Sequence, residues 1–278
     1  MLSTRSVALP ATVTQKPLAI SIWGDINYDL EKDNPDSQVY QITQRGLDAG
    51  LYANTGNMYN RDTAGLHAFK WPALSGTRSE MNSIKDIFMN AGIAVTTTAG
   101  SFATEDAFKS LDGKSPQLLH MATHGFFWPA NSKLNNSFTL QQDPMFRSGL
   151  VLAGANDIWS AKKPAAGKDD GILTSYEIAQ LDLNNTDMVV LSACETALGD
   201  LQGNEGVIGL QRAFKIAGIK QMILSLWKVP DKETVELMTM FYSNLIGGQS
   251  PSGSLSDAQL KMKEKYPPYY WAAFVLIQ

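Results

Sequence analysis

Apolar residues recur along this chain in two alternating rhythms. Short continuous runs are bounded by Gly, Asp or polar clusters: residues 17–24, 93–97, 118–123, 150–153, 188–192, 222–227 and 271–277. Between them lie stripes at helical spacing. Met81, Ile84, Phe88 and Ala91 form one, with Gly92 at its stop. Val207, Leu210, Phe214 and Ala217 form another, ended by Gly218. Val235, Met238, Phe241 and Leu245 form a third, for which Asp231 reads as the cap. Shorter helices are predicted from Thr104-Glu105-Asp106 onward, near 174–180 and near 255–264. Residues 25–75 read as loop with one helix near 36–49, and residues 1–16 as a tail or linker remnant. This leaves one domain, 17–278.

Strands that are apolar throughout are buried on both faces, and strands that alternate with amphipathic helices form parallel sheets. The predicted fold class is therefore α/β, a sandwich with a mostly parallel central sheet and helices on each side. Sites in such sheets form at the carboxyl ends of the strands. Two of these ends carry reactive side chains. The run Leu118–Thr123 is followed by His124-Gly125, and Met188–Ser192 by Ala193-Cys194. Cys194 is the only cysteine among 278 residues.

Composition narrows the classes of function. At 44% hydrophobic and 18% charged, the chain is an ordinary globular sequence. A net charge of −4 argues against a nucleic-acid partner. No apolar run reaches the roughly 18 residues that a spanning helix needs, and the N-terminus lacks the apolar core of a signal peptide, so no membrane role is expected. One cysteine forms no internal disulfide, which fits a reducing cytoplasm.

A free thiol has a pKa near 8.5 and is mostly protonated at neutral pH. A neighbouring imidazole lowers that pKa or takes the proton during attack, then protonates the leaving amine. His124 and Cys194 thus point to a dyad, with the backbone amides of Gly125 and Cys194 as candidate oxyanion donors. Other readings of the same residues stand beside it. A lone cysteine at a strand end also serves as a small buried hydrophobe, and a histidine before glycine as a turn residue. His120 and His124 have the i, i+4 spacing of metal ligands, but that spacing suits a helix and they lie on a strand and its end. His120 reads instead as a core residue. Gly-x-Ser-x-Gly, the P-loop and Gly-x-Gly-x-x-Gly are absent, so no cofactor is expected. Gly203–Gly209 reads as a helix start packed closely on the sheet, and Met238, Met240, Phe241 and Tyr242 as core.

Several stretches together resemble a known family. Leu119-His120-Met121-Ala122-Thr123-His124-Gly125, Arg147–Ala155, Asp170-Gly171-Ile172-Leu173-Thr174-Ser175-Tyr176-Glu177-Ile178, Leu191-Ser192-Ala193-Cys194-Glu195-Thr196, Glu205-Gly206, Ser225–Asp231 and Tyr269–Val275 look like the CHAT domain, which is similar to caspases and separases. The resemblance implies a caspase–hemoglobinase-like α/β/α sandwich. It also implies a His–Cys dyad at His124 and Cys194 and cysteine endopeptidase activity on a protein substrate. Two features depart from the caspase pattern. The cysteine sits in Ser-Ala-Cys-Glu-Thr rather than Gln-Ala-Cys-x-Gly. The His-to-Cys interval is 70 residues (194 minus 124) rather than about 50. Separases carry Trp-Asp-Val-x-Asp after the cysteine, where this chain has Trp227-Lys228-Val229-Pro230-Asp231, so Asp231 is a candidate substrate-binding residue for a basic P1 side chain.

CHAT domains usually follow TPR or other sensor modules, and several are linked to bacterial defence, including CRISPR and gasdermin systems. The resemblance therefore implies control by a regulatory partner or fused sensor domain. The loops 125–149 and 156–171 are candidate switch elements. The alternative of a different class is a catalytically silent CHAT-fold module that binds or scaffolds a protein partner. A metal hydrolase is a third reading.

Overall fold

Described here are residues 17–29, 70–127, 143–156, 169–192 and 204–278 of a computed structural model, the side chains of 204–208 excepted. The predicted tail, the helix near 36–49, Cys194 and most of both candidate switch loops lie outside the described residues.

The buried runs become strands. In chain order these are β1 (Ala19–Ile26), β2 (Ala94–Gly100), β3 (Leu118–Met121), β4 (Gly125–Phe127), β5 (Ser148–Val151), β6 (Ile172–Thr174), β7 (Met188–Leu191), β8 (Gln221–Ser225) and β9 (Phe274–Ile277). Six of them form a central sheet in the order β2-β1-β3-β7-β8-β9. All neighbours in it are parallel except the β8–β9 pair at one edge. Alternate residues feed two cores. Ile20, Ile22, Leu118, Met188, Val190 and Ile223 pack on one side, against helices α1 (Gly76–Asn90) and α6 (Asp231–Ile246). Trp23, Leu119, Met121, Val189, Leu191, Met222 and Leu224 face the other, toward α5 (Asn204–Ile216). Both faces are buried, as the continuous runs predict, and each such side chain contributes about 1.5–3 kcal/mol by leaving water. The result is an α/β/α sandwich of the caspase-like type with a mostly parallel central sheet.

Helix stops follow the sequence signals. After α1, Ile93 donates its N–H to the Phe88 carbonyl and Gly92 to that of Met89, with Gly92 at φ 72°. After α5, Ile219 bonds Phe214 and Gly218 bonds Lys215, with Gly218 at φ 101°. These paired bonds make Schellman caps, in which the left-handed position favours glycine. Short helices α2 (Glu105–Lys109) and α4 (Ser175–Ile178) start at the expected threonines, Thr104 and Thr174. The helix α7 (Pro251–Lys263) starts four residues before the predicted position, because Ser250 caps it and Pro251 occupies its first turn.

Three expectations need correction. Residues 150–153 do not form an isolated strand. β5 is the centre of a separate antiparallel sheet, β4-β5-β6, preceded by a one-turn helix α3 (Pro144–Arg147) that the sequence pattern does not reveal. Strands of three or four residues carry too few positions to show a period. The candidate switch loop 125–149 therefore begins and ends in this sheet. The last strand is also shorter than 271–277, because Pro268–Tyr270 form a 3-10 turn and β9 begins at Phe274. Finally, Asp231 does not cap its own helix: the N-cap of α6 is Pro230, and Asp231 is the first helical residue.

A charged cluster fastens the small sheet to α2. Lys109 Nζ lies 2.6 Å from Glu105, 3.3 Å from Asp169 and 3.1 Å from Glu177. Glu105 also accepts the Gly171 N–H at 3.2 Å, and Asp170 accepts that of Ile172 at 2.8 Å. Burial raises Asp169 and Asp170 from 3.8 to about 6 and pushes Glu105 well above the carboxylate range. Glu177 moves the other way: Lys109 and its capping bonds to Thr174 outweigh its burial and hold it below its usual value. A raised carboxylate binds protons more tightly when folded, so its cost builds as pH rises from about 4 to 6 and stands in full above that. Asp170→Asn should therefore stabilise the chain at pH 7 by roughly 1 kcal/mol. The gap from wild type should shrink as pH falls to 5, read by urea unfolding at each pH.

Candidate active site

Register sets the site. Trp23 pairs with Met121, Met121 with Leu191 and Leu191 with Leu224, so one row crosses four parallel strands and β3 and β7 end on it. The row continues past the strands: Ala122 donates to the Trp23 carbonyl at 2.8 Å and Ser192 to that of Met121 at 3.1 Å. His124 is three residues beyond Met121, and Cys194 three beyond Leu191. The chain thus leaves two adjacent strands, which run about 4.8 Å apart, at the same height, toward His124 from one and through Ser192, the last described residue before Cys194, from the other.

His124 is 1% exposed and lines a small cleft together with Leu74, Gly76, Glu80, Ser192, Lys228 and Asp231. Its ring lies between Tyr28 (centroids 5.1 Å apart) and Trp71 (5.2 Å). Its Nε2 is 2.8 Å from the Pro72 carbonyl oxygen. A carbonyl only accepts, so Nε2 carries a proton, and in the neutral imidazole the lone pair is at Nδ1. This is the arrangement of a general base oriented by a backbone acceptor.

The support for this ring comes from sequence-distant elements. Asn156 accepts the Trp71 N–H at 2.7 Å and donates to the Trp71 carbonyl at 3.1 Å, fixing the segment that ends in Pro72. The Asn156 N–H also donates to Tyr28 at 2.8 Å. The Thr123 hydroxyl donates to the Val151 carbonyl and accepts from the Tyr28 hydroxyl at 2.9 Å. Burial pushes the Tyr28 phenol up to about 12, so it remains a donor at neutral pH. Trp71, Pro72 and Asn156 carry no sequence signal of their own, since the backbone groups that do the work belong to no motif.

Gly125 follows into β4, where it stands opposite Leu150. Val151 donates to the His124 carbonyl at 2.9 Å, which makes Gly125–Leu150 a non-hydrogen-bonded pair. The Gly125 N–H therefore points away from β5 and is not consumed by the ladder. Cys194 and its amide lie outside the described residues, and Ser192 is the last described position before them.

Asp231 is an exposed residue on the rim of the cleft, and its Oδ2 accepts the Gly76 N–H at 2.9 Å. It thus caps the neighbouring helix α1 rather than its own. The approach requires glycine: a Cβ on Gly76 would lie 2.2 Å from the Asp231 Cβ. His120 is fully buried between α1 and α6, as a core residue. β3 ends at Met121, three residues before His124. Among the described residues, no group of three or more His, Cys, Asp or Glu side chains could hold a metal ion.

The sandwich and its cleft at the strand ends define a caspase-like α/β/α domain. The chain belongs to the CHAT domain family, whose model matches residues 21–278. CHAT domains form a caspase-like peptidase family. The chain is also similar to tetratricopeptide repeat protein 28 of Mus musculus, 33% identical over 109 residues, and of Homo sapiens, 32% identical over 109 residues. In each case the match covers 38% of this chain and 4% of the relative's length. Among the described residues, no helix is long and apolar enough to cross a membrane.

Asn156→Ala should release the Trp71–Pro72 segment. The expected cost is about 2 kcal/mol, since it strands two buried backbone groups. Urea unfolding monitored by tryptophan fluorescence measures it, and an unchanged midpoint would refute the clamp.

Proposed function

We propose that this chain is a cysteine endopeptidase that hydrolyses peptide bonds of a protein substrate. Cys194 is the nucleophile. His124 takes the thiol proton at Nδ1 and returns it to the leaving amine. The thiolate sulfur adds to the scissile carbonyl, the amine leaves with the proton from His124, and water then hydrolyses the acyl-enzyme. The amides of Gly125 and Cys194 receive the oxyanion. One observation carries this reading: His124 is held by Pro72 with its lone pair at Nδ1, in a cleft shared with Ser192, two residues before Cys194.

Asp231 on the cleft rim adds negative charge where a basic P1 side chain would enter, and its second carboxylate oxygen remains for that contact. The protease works in the cytoplasm under the control of a partner or fused sensor module. The names of the mouse and human relatives, which are tetratricopeptide repeat proteins, support a TPR-type module. Bacterial defence, including CRISPR-linked systems, is the setting proposed for it.

An acyloxymethyl-ketone probe tests the dyad. Cys194 should label faster than a free thiol at pH 7, and His124→Ala should slow labelling by about 10²–10⁴-fold. Labelling at the free-thiol rate, unaffected by His124→Ala, would leave the silent binding module as the reading. Activity lost to chelators and retained in Cys194→Ala would leave the metal hydrolase. In a peptide series with Arg or Lys at P1, Asp231→Ala should weaken the basic preference, and an unchanged preference removes Asp231 from the pocket.

A further inference from the structure

The floor of the same cleft holds a carboxylate that the dyad does not use. Glu80, on α1, is 3% exposed and lines the cleft with His124 and Ser192. Its Oε1 lies 3.3 Å from His120 Nε2, and His120 Nδ1 lies 3.0 Å from the Tyr242 hydroxyl of α6. His120 and Tyr242 are fully buried.

Among the described residues, the hydrogen-bond partner of the Tyr242 hydroxyl is His120 alone. Burial and the charge of Glu80 hold the phenol well above its usual range, so it stays protonated. The Tyr242–His120 hydrogen bond fixes the ring, with Nε2 turned toward Glu80. Despite that approach, Glu80 Oε1 and His120 Nε2 make no hydrogen bond, so this carboxylate oxygen is buried without a hydrogen-bond partner among the described residues. Among the described residues, no lysine or arginine forms an ion pair with it. A buried carboxylate without a cation is costly to keep. Beside it, the Ser192 hydroxyl is 6% exposed and has no hydrogen-bond partner among the described residues. Two buried polar groups, both acceptors for N–H, therefore line one cleft. Lys228 is an exposed residue on the same lining.

We propose that Glu80 is a specificity-determining residue: its carboxylate receives the cationic head of a lysine or arginine side chain of the substrate, and the Ser192 hydroxyl accepts one of that head's N–H groups. His120, held by Tyr242, is a positioning residue that orients the carboxylate. Asp231, exposed on the rim, adds a solvent-screened contribution to the same preference, whereas Glu80 is buried where a charge contact is stronger. The identity of the ligand as a substrate side chain rests on the peptidase reading; the cation site itself does not.

Two peptidyl acyloxymethyl ketones, with lysine and with norleucine at P1, differ mainly by the charge. The wild-type chain should label with the lysine probe at least ~10-fold faster. Glu80→Gln should bring the ratio of the two rates toward one. Tyr242→Phe should lower the ratio as well, whereas a merely structural role would slow both probes alike. Separately, butylguanidine should raise the melting temperature of the wild-type chain and not that of Glu80→Gln. A lysine preference that survives Glu80→Gln overturns the proposal. So do equal rates in the wild type together with no effect of butylguanidine, a result that needs no folded variant. Glu80-dependent binding of butylguanidine by a chain that neither ketone labels would uphold the cation site and refute the peptidase reading.

Discussion

In-register parallel pairing of β1, β3, β7 and β8 is the constraint on which the site depends. It aligns four strands on one row, Trp23–Met121–Leu191–Leu224, and ends β3 and β7 there, so that the chain leads on to His124 from one and to Ser192 from the other at the same edge. A slip of one residue would exchange every side chain between the two cores. The register is therefore held by the apolar burial on both faces, and the active edge inherits its geometry from the core.

The polar groups at that edge are fixed from elsewhere. Trp71 and Pro72 reach His124 across a segment clamped by Asn156, which itself follows the small antiparallel sheet. That sheet is tied to the edge by Thr123 and the His124 carbonyl through Val151, and to α2 by the Lys109 cluster. Asp231 joins α6 to the start of α1 through Gly76. These bonds convert a sheet edge into a cleft in which one ring nitrogen of His124 is committed to the Pro72 carbonyl. The same cleft carries the buried Glu80, whose environment is set by His120 and Tyr242 from two further elements.

The strands of the central sheet and the long helices were legible because burial on two faces and a helical stripe each leave a period in the sequence. The glycine stops at Gly92 and Gly218 were legible because a Schellman cap requires a positive φ. The strands β4 and β6 and the helix α3 were not, being too short to carry a period. The isolated reading of residues 150–153 failed for the same reason, since both partners of β5 have only three residues. Asp231 was misread as its own helix's cap because sequence shows which residue can cap, and not which helix end lies beside it.

Within the site, His124 and Cys194 stood out from sequence because each is a chemically distinctive side chain at the end of an apolar run. Local sequence determined the sandwich, the edge at which chemistry would sit and the candidate dyad. Tertiary structure decided the tautomer of His124, the cap made by Asp231 and the presence of Glu80 in the cleft. Those depend on groups that meet only when distant segments pack: a proline carbonyl, an asparagine amide and a glutamate on a helix that reads as ordinarily amphipathic. A hydrogen bond to a backbone carbonyl leaves no trace in the identity of the residue that supplies it, so folding alone could reveal it.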